Sequence, residues 1–187
     1  MKRCGWVTND EIYIKYHDEE WGKPKKDTNE LFELFILEGF QAGLSWLTIL
    51  KKRENFRKAF DDFDARKISN YSDQKVEELM QNEGIIRNRL KINATIKNAK
   101  LFLEMEKEKN GFSDYLWSFV KHQPILNSFK SLSEIPAKTE ISELMSKNLK
   151  KIGFKFCGPT ICYAFMQSSG MVNDHARDCF LFDKQLL

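Results

Sequence analysis

The chain has 187 residues, which suits a single domain with its own hydrophobic core. Apolar residues make up 42% of it and charged residues 30%, and the net charge is only +3, so a polyanion would have to bind to local patches of positive charge. It has neither a run of about 18 apolar residues nor an N-terminal signal stretch, which argues against a membrane-spanning or secreted protein. We therefore expect a cytoplasmic protein whose cysteines are thiols or metal ligands.

Composition and periodicity predict an all-α fold. The chain has 18 Leu but only four Val, and no segment alternates between apolar and polar residues for long enough to predict a strand. Residues 1–27 show weak periodicity and are expected to form turns and loops. A first helix is expected to begin at Thr28, its cap, and to carry an apolar stripe as far as Gly39. A second is expected over residues 45–60, with a possible break near Arg53, and a third from a cap at Ser72 or Asp73 to Gly84. Further helices are expected over residues 88–109, 113–120, 139–152 and 159–169.

Four potential metal ligands lie in pairs near the two ends of the chain. Cys4 and His17 form one pair, and His175 and Cys179 form the other, whose i, i+4 spacing predicts one face of a helix. Two thiolates and two imidazoles suit a closed, tetrahedral structural zinc site. The spacing alone leaves the alternative open that these are unrelated residues, some of them buried.

A predicted turn between two helices could contact a phosphate. Residues 149–158 contain a helix end, a short apolar turn and a helix start, and Lys150, Lys151 and Lys155 give this segment a local positive charge. Backbone N–H groups at such a turn can point at a phosphate. An ordinary helical hairpin with solvated lysines would have the same sequence pattern.

Large aromatic residues are concentrated in the N-terminal part of the chain. Such rings can sandwich a nucleic-acid base, although core packing is the simpler explanation for any one of them. The residues concerned are Trp6, Tyr13, Tyr16, Trp21 and Trp46.

Glu38 lies near the end of an apolar helical segment, between Leu37 and Gly39. A carboxylate there is costly unless something compensates it, so Glu38 is a candidate for holding a cationic ligand. The alternative is a solvated or helix-capping glutamate. Leu44, in the turn that follows, is a candidate wedge for insertion between bases.

Several longer motifs are distributed over nearly the whole chain. They are RCGW at 3–6, YHDEEWG at 16–22, LEGFQAGLSW at 37–46, KKRENF at 51–56, GIIR at 84–87, WSFV at 117–120, GFKF at 153–156 and VNDH at 172–175. Together they resemble the DNA-3-methyladenine glycosylase I family of the helix-hairpin-helix glycosylase superfamily.

The resemblance implies an enzyme of base-excision repair. It would be monofunctional, hydrolysing the N-glycosidic bond of 3-methyladenine in double-stranded DNA and leaving an abasic site. The expected architecture is a helical domain over residues 1–187, with two lobes whose termini are clamped by zinc, acting as a monomer. One structural zinc ion would be bound by Cys4, His17, His175 and Cys179.

The same resemblance assigns the remaining site residues. Glu38 is the expected catalytic residue, and it shares the base-binding role with Tyr16, Trp46, Trp6, Tyr13 and Trp21. Leu44 would enter the gap in the duplex, while the hairpin from Gly153 to Gly158, with Lys155, would grip the DNA backbone.

The sequence departs from the wider superfamily at one position. Related enzymes carry a catalytic Asp a short distance after the hairpin, where this chain has Asn173, with Asp174 one position away. The resemblance explains this, because the family lacks that Asp, and adenine methylated at N3 is a cation that leaves as a neutral base without a general acid. A non-catalytic DNA-binding module and a helical interaction protein are the two rival functions.

Overall fold

The structure is a computed structural model that describes residues 1–182, and over those residues it is mostly helical, as the sequence predicts. Two 3-10 turns, Asp61–Phe63 and Leu132–Glu134, and one short parallel pair of strands accompany the helices. No helix among the described residues is long and apolar enough to cross a bilayer. The elements are α1 (Glu11–Glu19), α2 (Thr28–Gln41), α3 (Trp46–Ala59), α4 (Ala65–Ile68), α5 (Asp73–Gln81), α6 (Arg89–Met105), α7 (Gly111–Ser118), β1 (Ile125–Leu126), α8 (Glu140–Ile152), α9 (Pro159–Ser168) and β2 (Val172–Asn173).

Side-chain caps fix where most of the long helices begin. Ser45, Ser72, Asn88 and Thr139 each accept a hydrogen bond from a backbone N–H in the first turn of the helix that follows. The predicted cap of α2 was one residue off. Asp27, not Thr28, holds that position, and its carboxylate accepts from the backbone N–H groups of residues 29 and 30 at 3.0 and 2.8 Å. Helix α3 runs unbroken past Arg53.

The prediction of turns and loops over residues 1–27 is wrong for α1. Asp10 caps this helix, whose buried residues are Tyr16 and His17. Its two buried residues are therefore aromatic rings with polar groups, which explains the weak apolar periodicity. Helix α6 also ends four residues earlier than expected, at Met105, and the short helix α4 was not predicted.

Helix α2 lies at the centre of the molecule and packs against α3, α6, α7 and α9. The ring of Phe35 meets the edges of Phe112, Phe154 and Phe165, with centroids 5.5 to 5.9 Å apart. Every residue of α2 from 34 to 40 is buried. Because Glu38 belongs to this stretch, its carboxyl group lies inside the protein.

The expected hairpin joins α8 and α9. Gly153 ends α8 with φ at +116°, a left-handed conformation that favours glycine, and Pro159 begins α9. Asn98 of α6 fixes the turn through both backbone groups of Lys155: its Oδ1 accepts from the N–H at 2.9 Å and its Nδ2 donates to the carbonyl at 3.1 Å.

Candidate functional site

A cavity of about 290 Å³ opens between α1, α2, α3, α9 and the loop after β1. This volume is near the lower end for small-molecule sites, about 300 Å³. All six residues expected to form a base pocket line it. Its lining comprises Trp6, Tyr13, Tyr16, Trp21, Glu38, Gln41, Trp46, Leu132, Ile135, Pro136, Ala137, Thr160, Tyr163, Ala164 and Gln167.

Aromatic rings form one wall of the cavity. Trp6 is central, with ring centroids 4.9 Å from Tyr13, 5.0 Å from Trp21 and 6.3 Å from Tyr16. Tyr16 in turn lies 5.6 Å from Trp46. The rings are tilted or edge-to-face rather than stacked on one another, which are common arrangements of packed aromatic side chains.

Three buried polar atoms at this cavity have no hydrogen-bond partner. They are the indole Nε1 atoms of Trp6 and Trp46 and the Oε2 atom of Glu38, and no other side-chain nitrogen or oxygen of residues 1–182 is buried without a hydrogen-bond partner. Buried polar groups are almost always paired, and an unpaired one costs about 1–3 kcal/mol. Two donors and a carboxyl oxygen around one cavity are therefore suited to a polar ligand.

Burial raises the pKa of Glu38 to about 8, and the Ser168 hydroxyl offsets part of that shift. The side chain is only 2% exposed. Without a ligand, the neutral carboxyl form therefore predominates at pH 7. A cationic ligand in the cavity would lower this pKa and restore the charge, because an opposite charge nearby favours the ionised form.

Sequence reasoning missed the side of the cavity formed by α9. Tyr163 and Gln167 line it, and both donate hydrogen bonds to Asp174, which is fully buried behind them and does not line the cavity. The apolar pattern of α9 gave no sign of these roles. Asp174 was noticed only because it lies one position from the expected place of a catalytic Asp.

Cys4, His17, His175 and Cys179 come together in a buried cluster that could hold a metal ion. Their ligand atoms all lie within 4.8 Å of one another. The Sγ atom of Cys4 lies 3.4 Å from Nδ1 of His175, and the Sγ atom of Cys179 lies 3.5 Å from the same Nδ1 and 3.5 Å from Nε2 of His17. The expected helix over residues 175–179 is wrong, because this segment forms turns.

The groups around the cluster orient both imidazoles. Nδ1 of His17 lies 2.7 Å from Oδ1 of Asp18, and Arg3 binds the same carboxylate through Nε and Nη2. The Arg3 hydrogen bond is the main reason that the pKa of Asp18 falls to about 2. Nε2 of His175 lies 3.3 Å from the carbonyl oxygen of Trp21. Outer partners of this kind are typical of metal-binding histidines.

Burial sets the charge state of the cluster in the absence of an ion. It raises the pKa of Cys4 to about 12 and lowers that of His175 to about 4. Neutral imidazoles are ready to bind a cation, whereas buried thiolates need one to compensate their charge.

The residues expected to contact DNA lie outside the cavity. Leu44 is 42% exposed, on the loop between α2 and α3, and both ends of this loop, Gln41 and Trp46, line the cavity. Lys155 is exposed on the hairpin, and Gly153 and Gly158 flank it.

A sequence profile of the methyladenine glycosylase family matches residues 6–182. The chain belongs to this family. A DNA-3-methyladenine glycosylase from Haemophilus influenzae is 55% identical over 177 residues, which is 95% of this chain and 96% of the relative.

Two solved structures have the same fold. A crystal structure of 3-methyladenine DNA glycosylase I is 53% identical, with a TM-score of 0.94 over 96% of this chain and 98% of its own. A variant of 3-methyladenine DNA glycosylase I in complex with 3-methyladenine is 37% identical, with a TM-score of 0.92 over 96% of this chain and 97% of its own.

The raised pKa of Glu38 predicts how stability depends on pH. In the native state Glu38 keeps a proton that it releases in the unfolded chain near its ordinary pKa of about 4.3. The contribution of the protonated carboxyl to the free energy of unfolding is therefore present in full below that pH. It is lost as the pH rises to about 8, by up to about 1.4 kcal/mol per pH unit. Urea unfolding of Glu38→Gln between pH 5 and 8 should therefore show a flatter profile than the wild type. Glu30→Gln, an exposed position on the same helix, is the control. Parallel profiles for the wild type and Glu38→Gln would contradict the raised pKa.

Proposed function

We propose that this chain is a monofunctional DNA glycosylase that hydrolyses the N-glycosidic bond of 3-methyladenine in double-stranded DNA. It releases the free base and leaves an abasic site. The observation that carries the proposal is the aromatic cavity in which Glu38 and two indole N–H groups are buried without partners. The relatives at 53–55% identity are named for the same activity.

The cavity residues match the chemistry of the methylated base. Stacking against Trp6, Tyr13, Tyr16, Trp21 and Trp46 suits a flat purine, and the faces of such rings attract a cation. Methylation at N3 makes the nucleotide base cationic, so it pairs with the carboxylate of Glu38. The two indole N–H groups are donors for the remaining ring nitrogens of the base.

The mechanism needs no group to protonate the leaving base. The enzyme extrudes the nucleotide from the duplex, at an unstacking cost of a few kcal/mol. The bond between C1′ and the base then breaks, and its electron pair goes to the base, which leaves neutral. Positive charge moves to the sugar, and a water molecule adds to C1′ and loses a proton. Glu38 is the catalytic residue, ionised by the cationic base that it binds.

The buried cluster at the chain ends fits zinc. In a tetrahedral site with Zn–S near 2.3 Å and Zn–N near 2.0 Å, sulfur and nitrogen ligands lie about 3.5 Å apart, which agrees with the separations of 3.4 to 3.5 Å found here. Cys4, His17, His175 and Cys179 would fill all four positions, so the ion is structural. It would clamp the termini of one two-lobed domain.

The surface beside the cavity is the proposed DNA interface. Leu44 enters the gap that the extruded nucleotide leaves. The hairpin from Gly153 to Gly158, between α8 and α9, acts as a helix-hairpin-helix element, and the ammonium group of Lys155 pairs with a phosphate of the DNA backbone. We propose that the protein acts on DNA as a monomer in the cytoplasm.

The zinc proposal predicts one ion per chain in protein purified without added metal, measured by elemental analysis. Cys179→Ser should lose the ion and lower the free energy of unfolding, because a structural ligand contributes to folding rather than to chemistry. Cys162→Ala, a buried cysteine outside the cluster, should keep the ion. Full zinc content and wild-type stability in Cys179→Ser would remove Cys179 from the site.

The hairpin proposal predicts that Lys155→Glu weakens binding to undamaged and lesion-containing duplexes by similar factors, since phosphate contacts carry no sequence information. The slope of the logarithm of the association constant against the logarithm of the salt concentration should become shallower, because fewer counterions are released. Lys58→Glu makes the same charge change on α3 and serves as the control. An unchanged salt slope in Lys155→Glu would exclude Lys155 from the interface.

The catalytic proposal predicts that Glu38→Gln reduces the rate of 3-methyladenine release by about ten- to a hundredfold. Gln keeps the size of the side chain but loses its charge, and a charge-assisted hydrogen bond is worth about 1.5–3 kcal/mol. The assay is single-turnover base release from alkylated duplex DNA, with Glu30→Gln as the matched control. A folded Glu38→Gln that works at the wild-type rate would make Glu38 structural. A wild-type protein that binds DNA but releases no base would be a binding module instead.

A further inference from the structure

A groove of about 390 Å³ lies between α6 and the hairpin that joins α8 to α9. The residues that line it are Leu90, Asn93, Ala94 and Lys97 of α6, together with Lys155 and Phe156 of the hairpin. The four residues from α6 follow an i, i+3, i+4, i+7 spacing, so they share one face of that helix. None of the six lines the aromatic cavity, and only Lys155 has a role in the proposed function.

Apolar side chains make up much of the groove. Leu90 is 73% exposed and Phe156 is 36% exposed. Phe156 has φ at +54°, a left-handed conformation that is uncommon for a bulky residue and persists only where the surroundings hold it. Asn98 binds both backbone groups of the preceding residue, and Cβ of Phe156 packs against Gly39 of α2, where an added Cβ would lie 3.3 Å away. The protein thus keeps an aromatic ring at the surface beside the hairpin.

Two lysines at this groove carry positive charges that the protein leaves uncompensated. Among residues 1–182, neither Lys97 nor Lys155 forms an ion pair or a side-chain hydrogen bond. Two other cations of α6 have partners: Arg89 forms a bidentate pair with Glu77 at 2.5 and 2.7 Å, and Lys91 donates to two backbone carbonyls. Free ammonium groups beside an apolar surface suit an anionic partner.

Lys97 lies next to the hairpin that we propose to bind the DNA backbone. A Cβ added at Gly153, where the hairpin begins, would lie 3.9 Å from Nζ of Lys97. A DNA strand alternates charged phosphates with deoxyribose rings, whose carbon atoms are largely apolar. Its backbone therefore presents the same alternation of charge and apolar surface as the groove. Continuity with the hairpin favours DNA over an acidic segment of a protein.

We propose that the groove extends the DNA surface of the hairpin, with Lys97 pairing with one phosphate of a strand and Lys155 with a neighbouring one. Leu90 and Phe156 pack against deoxyribose rings of the same strand. The inference rests on the DNA binding of the proposed function and enlarges its interface. Because phosphate and sugar contacts carry no sequence information, the groove adds affinity for damaged and undamaged duplexes alike.

The test measures the association constant for an undamaged duplex over a range of salt concentrations. Lys97→Gln removes one phosphate contact, so the slope of the logarithm of this constant against the logarithm of the salt concentration should become shallower by about 0.9. Combined with Lys155→Gln, the change should be about twice as large, because two phosphates are involved. Lys100→Gln makes the same charge change on α6, but Lys100 lines a different depression with Arg66 and Asn70, so its slope should match the wild type.

Two further variants test the groove without removing a charge. Asn93→Lys adds a cation to the same face of α6, so it should steepen the slope by up to about 0.9, a gain that misfolding cannot produce. Leu90→Asn removes an apolar contact and keeps the charge. It should weaken binding about two- to fivefold at every salt concentration, with an unchanged slope.

The outcomes separate this inference from the proposed function. A wild-type protein that binds duplex DNA with these slopes but releases no 3-methyladenine would overturn the proposed activity and support the groove. A shallower slope in Lys155→Gln, with wild-type slopes in Lys97→Gln and Asn93→Lys, would overturn the inference alone and assign the groove to a partner other than DNA. Equal changes in Lys97→Gln and Lys100→Gln would also overturn it, because the effect would then come from net charge.

Discussion

The burial of one carboxyl group constrains much of this molecule. Glu38 belongs to a helix that is covered on its other sides by α3, α6, α7 and α9, so its polar end can face only the cavity. Aromatic rings around it keep the surroundings poorly solvated, and the free carboxyl therefore holds its proton near neutral pH. In the proposed reaction, the arrival of a cationic base reverses that state. The charge on Glu38 would exist mainly when a suitable ligand is present, which disfavours an uncharged base.

The N-terminal part of the chain connects the cavity to the buried Cys and His cluster. Tyr13 and Tyr16 belong to α1, and the next residue, His17, is part of the buried Cys and His cluster. Trp21 lines the cavity with its ring, while its carbonyl oxygen contacts His175. Loss of the cluster would therefore disturb the aromatic wall as well as the segments that carry the four cluster residues. This is why we expect a ligand substitution to act through folding, whereas a change at Glu38 acts on chemistry.

The sequence predicted features that depend on neighbouring residues better than those that depend on distant ones. Ser72, one of the two caps considered for α5, could be identified because the group that it binds lies three residues away. Helix α1 was missed because its buried face meets a cavity and a cluster, which leave no apolar periodicity. The i, i+4 spacing of His175 and Cys179 was wrongly interpreted as helical, since turns bring the two side chains equally close, with Sγ of Cys179 3.5 Å from Nδ1 of His175. Asp174 and its partner Asn127, 47 positions apart, left no local signal.

Helix α6 links the two surfaces that we propose to contact DNA. Lys91 donates its ammonium to the carbonyl oxygens of Phe40 and Ala42, at 2.8 and 2.7 Å, which holds the start of the loop carrying Leu44. Asn98, on the same helix, holds the backbone of Lys155 in the hairpin. Seven residues of helix separate the two anchors, a rise of about 10.5 Å. In the proposed interface, one helix would therefore set the distance between Leu44 and Lys155 before DNA binds.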